Sequence, residues 1–137
     1  MRNYCIAAIA ALSAGCATTP VSNSEAQVVP DSRIHSRQWL APASGTSMLT
    51  IKRDSGFTGA ACSVAVFMDA EPIADLRTSE KVVLDVLPGK HLFGAKATGI
   101  CAGGAADASL TTEAGKPDTL RVSVEQGGDI RIAPSAF

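Results

Sequence analysis

Leu120-Arg121-Val122-Ser123-Val124-Glu125-Gln126-Gly127-Gly128-Asp129-Ile130-Arg131-Ile132 is the stretch that decides the fold. Up to Glu125, apolar and polar residues alternate with period two. That sends Leu120, Val122 and Val124 to one face of a strand and Arg121, Ser123 and Glu125 to the other. Gly127-Gly128 is a hairpin turn signal, and Ile130 and Ile132 resume the alternation. The same pattern extends backwards through the chain. Val82, Leu84 and Val86 form an inward row opposed by Lys81 and Asp85, and Leu49 and Ile51 alternate with Thr50 and Lys52. Residues 62–68 are a Val-rich apolar run, which reads as a strand buried on both faces. Residues 72–76, 91–97 and 108–112 are further strands, separated by turns at Asp69-Ala70-Glu71 and Pro88-Gly89. Nothing after residue 45 carries sustained helical periodicity. Seven or eight short strands, with turn signals every 8 to 12 residues or so, predict an all-β fold, a small antiparallel β-sandwich.

The other end of the chain reads quite differently. Met1-Arg2-Asn3 is a short positive start, residues 4–12 are apolar, and Ser13-Ala14-Gly15-Cys16 ends the segment on small residues and a cysteine. The apolar stretch is shorter than the roughly 20 residues that span a bilayer. It therefore reads as an export signal. Beyond it, residues 17–30 mix Thr, Ser, Pro, Asn and Gln with small side chains, the composition of a flexible tether. Ile34, Trp39 and Leu40 fit either a short strand or a helical turn packed on the domain, and Pro42-Ala43-Ser44-Gly45 breaks what precedes it. The expected organisation is a signal peptide over 1–15, a lipidated cysteine and tether over 16–45, and a β-sandwich domain over 46–137.

Composition narrows the function classes. The chain has 137 residues and a formal net charge of −1, with 12 Lys and Arg against 13 Asp and Glu. It contains no block of like charge, so it lacks the basic stripe that nucleic acid requires and the polybasic cluster that docks on anionic lipid. Of its 4 cysteines, Cys5 lies in the export segment and Cys16 closes it. Export places Cys62 and Cys101 in an oxidising compartment, where they form one expected disulfide; the alternative is two free buried thiols. Without a Cys-x-x-Cys pair the bridge reads as a staple and not as a redox site.

Leu12-Ser13-Ala14-Gly15-Cys16 resembles the lipobox of bacterial lipoproteins, with the usual Leu one place early. The resemblance implies that the Cys16 thiol is diacylglycerated, that the chain is cut before it, and that the new amine is acylated by a fatty acid such as palmitate. Ala17 fits the rule that sorts such lipoproteins to the outer membrane, facing the periplasm. A second resemblance covers residues 47–104. It rests on Leu49-Thr50-Ile51-Lys52-Arg53-Asp54-Ser55-Gly56-Phe57-Thr58-Gly59, on the strand that ends at Asp69, and on the turn Leu87-Pro88-Gly89-Lys90-His91. These are similar to a family of uncharacterised bacterial envelope lipoproteins, a domain of unknown function with a PEGA-like β-sandwich module. Cys62 and Cys101-Ala102-Gly103-Gly104 fit that family's cysteine arrangement. Ala70 stands where the family has Gly. The resemblance implies a fold and no activity.

Candidate chemistry is sparse. His91 is a candidate general base with Asp85 and Glu80 nearby in sequence, but no Ser or Cys stands in a nucleophile context such as Gly-x-Ser-x-Gly. His35 falls in the linker and reads as solvated. Asp69, Glu71 and Asp75 cluster around one hairpin without the ligand spacing of a calcium loop, and two scattered histidines do not make a zinc site. Gly103-Gly104 lacks the Lys-Ser/Thr and the helix of a phosphate loop. Ser55, Gly56 and Phe57 form a candidate contact loop with an aromatic tip. Neither a catalytic set, a metal site nor a cofactor is expected. The functional expectation is a non-enzymatic, membrane-anchored envelope module that contacts an envelope protein or peptidoglycan. The alternatives are an inhibitor of a cell-wall lytic enzyme and a small-ligand-binding periplasmic lipoprotein.

Overall fold

The alternating rows face one another across two sheets. The computed structural model describes residues 18–56, 58–101 and 103–137, so Cys5, Cys16, Phe57 and Ala102 lie outside the described residues. Within them the strands are β1 (Gln27–Val28), β2 (Ser47–Arg53), β3 (Ser63–Met68), β4 (Glu71–Leu76), β5 (Glu80–Val86), β6 (Gly89–Thr98), β7 (Ala105–Thr112), β8 (Asp118–Val124) and β9 (Ile130–Pro134). One sheet has the order β1-β5-β2-β8-β9 and the other β4-β3-β6-β7. The chain changes sheets after β2, β4, β5 and β7. This is the expected β-sandwich, with β1–β5 and β2–β8 as parallel pairings within it. The chain returns beside β2 only after the second sheet is built, and β8 pairs with β2 in parallel.

The inward rows supply the core. Leu49, Ile51, Val82, Leu84, Val86, Leu120 and Val122 project from the five-stranded sheet, against Val64, Val66, Ile73, Leu76, Phe93 and Ala95 from the other. Each such side chain contributes on the order of 1.5–3 kcal/mol when fully buried. β7 begins at Ala105, three residues ahead of the expected 108, because its first residues pair with β6 at Ala95↔Ala106 and Lys96↔Ala105.

The stretch expected as a tether does not behave as one from Thr18 onward. Thr19 forms an antiparallel bridge with Ser55, and Val21, Ala26 and Val29 are buried. β1 pairs with the start of β5 at Gln27↔Glu80 and Val28↔Lys81. Ile34 bridges Ala74, while Trp39 and Leu40 pack half-buried on the core. The physical reason is that three apolar side chains at irregular spacing give this polar segment enough contact to close the β5 edge, which would otherwise be an open row of hydrogen-bonding groups.

The β3–β4 turn settles the effect of Ala70. Met68 pairs with Glu71 across it, and Asp69 and Ala70 take φ of 50° and 69°. Two successive left-handed residues make a type I′ turn, the hairpin form whose twist matches that of its strands. Asp tolerates this conformation, but Ala bears a steric penalty of about 1–2 kcal/mol. Ala70→Gly relieves it, and after the larger unfolded-state entropy of Gly a gain of about 0.5–1 kcal/mol is expected in urea unfolding.

Candidate functional site

Two ends of the sandwich carry the chemistry-bearing residues. At the first, β2 ends in Arg53, which is in phase with Leu49 and Ile51 and so points inward. Arg53 is 1% exposed, and its guanidinium donates to the carbonyls of Cys62 at 2.6 Å, Gly59 at 2.6 Å and Leu76 at 3.1 Å. Burial pushes its pKa down, with the more distant Glu80 opposing. One side chain thereby fixes the 54–62 loop, the start of β3 and the end of β4. Cys62 and Cys101 form a disulfide at this end, with Cα atoms 5.7 Å apart, a separation that suits such a bond. Cys62 is buried and Cys101 exposed. A cavity of about 210 Å³ opens beside the bond, bordered by Gly59, Val64, Ala97, Val124 and Gly127. Among the described residues it is lined mainly by apolar groups and backbone, with no titratable side chain, so what it offers is space for a small apolar group.

The expected contact loop sits at this end as well. Ser55 is half-buried and committed to the fold: its N–H donates to the Thr19 carbonyl at 2.9 Å and its carbonyl accepts from the Thr19 N–H at 2.8 Å. Gly56 is exposed, and Phe57 lies outside the described residues. Gly104 makes a close approach of two loops possible, since a Cβ there would meet the Gly128 carbonyl oxygen at 2.6 Å. That is a packing role, and among the described residues no helix N-terminus stands beside Gly103-Gly104 to complete a phosphate cradle.

The opposite end is organised by His91. Its Nδ1 lies 2.7 Å from Asp69 Oδ2 and its Nε2 2.7 Å from the Leu87 carbonyl. Asp69 Oδ1 accepts from the Leu92 N–H at 2.9 Å. Burial alone would lower the imidazole pKa, but the hydrogen bonds to Asp69 and Leu87 reverse that and leave it raised. The hydrogen bond from His91 holds the Asp69 carboxyl below its usual range. Both partners are acceptors, so the imidazolium is the form that satisfies both contacts. The expected neighbours are elsewhere. Glu80 pairs with Arg33 at 2.5 and 2.6 Å, and Asp85 accepts from Thr46 at 3.4 Å.

This pair fixes the pH response. His91 has a folded pKa above its unfolded value of about 6.5, so its contribution is complete below that pH and fades as pH rises through the folded pKa. Asp69 is depressed, so its contribution is present above about 3.9 and fades as pH falls through the folded value. Thermal unfolding from pH 5 to 9 is expected to show stability declining on the alkaline side. His91→Gln should remove that decline; a decline of equal size in the variant would refute the assignment.

The remaining acidic residues of the hairpin do not converge. Glu71 accepts from Ser36 and Gln38 at 3.0–3.1 Å, and Asp75 binds His35 at 2.9 Å. His35 is exposed, as expected of a solvated side chain, and also helps to dock residues 35–38 on β4. Among the described residues no group of three or more His, Cys, Asp or Glu is placed to hold a metal ion.

The outer face of the five-stranded sheet carries a charged row. Lys81, Lys52 and Arg121 stand in register across β5, β2 and β8. Asp54 takes Arg121 in a bidentate pair at 2.7 and 2.6 Å. Lys52 is fully buried and bonded to the Phe137 backbone oxygen, and Lys81 to that of Asn23. Burial pushes the Lys52 ammonium pKa down, against the pull of Asp54. Residues 135–137 lie over this row, with the Ser135 N–H bonded to the Thr119 carbonyl at 2.9 Å. The available sequence signal was the outward parity of Lys52, Lys81 and Arg121. No family model matches the chain, and no curated protein matches it.

Proposed function

We propose that the protein is a lipid-anchored module of the bacterial cell envelope, non-enzymatic, held at the outer membrane through acylated Cys16 and acting by contact with another envelope component. On this reading it groups with the uncharacterised envelope lipoproteins that its motifs resemble. The observation that carries the reading is the Cys62–Cys101 disulfide in a chain that begins with a lipobox-like segment. Disulfides persist in exported proteins and are rare in the cytosol, so the two features support the same compartment independently. The interaction role is supported by how the polar side chains are used. His91, Arg53, Asp54 and Glu80 are each engaged in holding strands and loops together.

Crosslinking in living cells tests this reading, comparing the native chain with a Cys16→Ala variant and identifying attached molecules by mass. A protein or peptidoglycan fragment captured only by the anchored form is the expected result. Absence of any adduct from both forms would overturn the contact role. The cavity of about 210 Å³ would then favour a small-ligand binder. Capture of a lytic enzyme whose activity falls on binding would establish an inhibitor.

A further inference from the structure

Resting on acylation of Cys16, we infer that the Arg53 end of the sandwich faces the lipid surface directly, with Ile100 toward the bilayer and the His91 end pointing away. The observation is the small number of residues between anchor and fold. Thr19 is paired in both directions with Ser55, so the chain between Cys16 and the domain amounts to three peptide steps. Fully extended, these cover no more than about 11 Å. A leash that short cannot let the domain tumble: whichever end holds Ser55 is kept at the headgroups.

Strand directions show what shares that end. Ser63 pairs with Thr98, so the 3-10 turn Gly99–Cys101 lies beside the start of β3. Arg53 ties that start to the 54–62 loop. Arg53 also pairs with Val122, which brings the 125–129 turn to the same end. Ile100 is 87% exposed at the tip of this end, the most exposed of the large apolar side chains among the described residues. Ala60 and Ala61 beside the disulfide are exposed as well. An apolar tip next to an acyl anchor adds buried area at the lipid interface. The cavity bordered by Gly59, Val64 and Val124 opens on this side too.

The other end is distant. Asp69, Leu87 and His91 gather there, together with exposed Leu87. A strand as long as β6, at about 3.3 Å per residue, puts some 30 Å between the two ends. Partner contacts at the His91 end would thus be made well outside the headgroups, whereas the Arg53 end is reserved for lipid.

The test uses the full acylated chain in vesicles of phosphatidylethanolamine and phosphatidylglycerol that carry brominated acyl chains, which quench nearby tryptophan. Ile100→Trp and Leu87→Trp are compared, with the native signal of Trp39 subtracted. Ile100→Trp should be quenched at least about twofold more than Leu87→Trp, given the 30 Å or so between them. Equal quenching, or stronger quenching of Leu87→Trp, in protein that floats with the vesicles overturns the orientation and leaves the anchor intact. Protein that does not float, with Cys16 unmodified by mass, overturns the anchor and the orientation with it. A spacer of about ten Gly and Ser residues between Ala17 and Thr18 should abolish the contrast. A contrast that survives the spacer would refute the short leash as its cause.

Discussion

Replacing Cys62 and Cys101 together by serine is expected to lower the unfolding free energy by about 4 kcal/mol. The bond spans 39 residues, and opening it returns that loop-closure entropy to the unfolded chain. Against a total of about 5–15 kcal/mol for a domain of this kind, the loss shifts the melting temperature by something like 15 °C. The native chain treated with dithiothreitol should melt where the double variant does, since Cys101 is exposed and gives the reductant access. The single variants should behave as the double one does. A shift of only a degree or two would mean that the paired β3 and β6, in register from Ser63↔Thr98 onward, hold the two ends together without the bridge.

Arg53→Met has a comparable expected effect, about 3–5 kcal/mol, for a different reason. The substitution keeps most of the volume and removes the charge, but it leaves the Gly59, Cys62 and Leu76 carbonyls without their donor. Each buried, unpaired group costs about 1–3 kcal/mol. Arg53→Lys should fall between, at about 1–2 kcal/mol, because an ammonium can reach some of these oxygens but cannot fork between strands. Urea unfolding with unchanged slope distinguishes a loss of stability from an altered unfolded state. Lys90→Met, an exposed control, should stay within about 0.5 kcal/mol. A null result at Arg53 would show that water or backbone rearrangement satisfies the three carbonyls.

Arg53 also marks the boundary of what the sequence discloses. The rows Leu120/Val122/Val124 and Val82/Leu84/Val86 were legible because one face is buried and the other wet, so hydrophobicity carries the period. The same parity, continued through Leu49 and Ile51, points Arg53 inward. A reader of hydrophobicity stops there because the residue is charged, and what makes its burial tolerable is three carbonyls from distant loops. Lys52 gives less warning still: its parity is outward, yet it is buried and bonded to the backbone oxygen of Phe137. β1 has no legible sequence signal because Val21, Ala26 and Val29 follow no period. Sequence proximity points His91 toward Asp85 and Glu80. Asp69 becomes visible only through the register that sets Met68 opposite Phe93. Pairings across sheets and loops are set by topology, and a local pattern does not encode them.

The anchor and the orientation both rest on Cys16. Intact-mass and N-terminal peptide measurement on the protein extracted from membranes tests it most directly. The account predicts a chain that begins at Cys16, carrying a diacylglyceryl thioether and an acylated amine, with Cys62 and Cys101 oxidised. A chain that begins at any other residue, or a Cys16 with a free thiol, would contradict it.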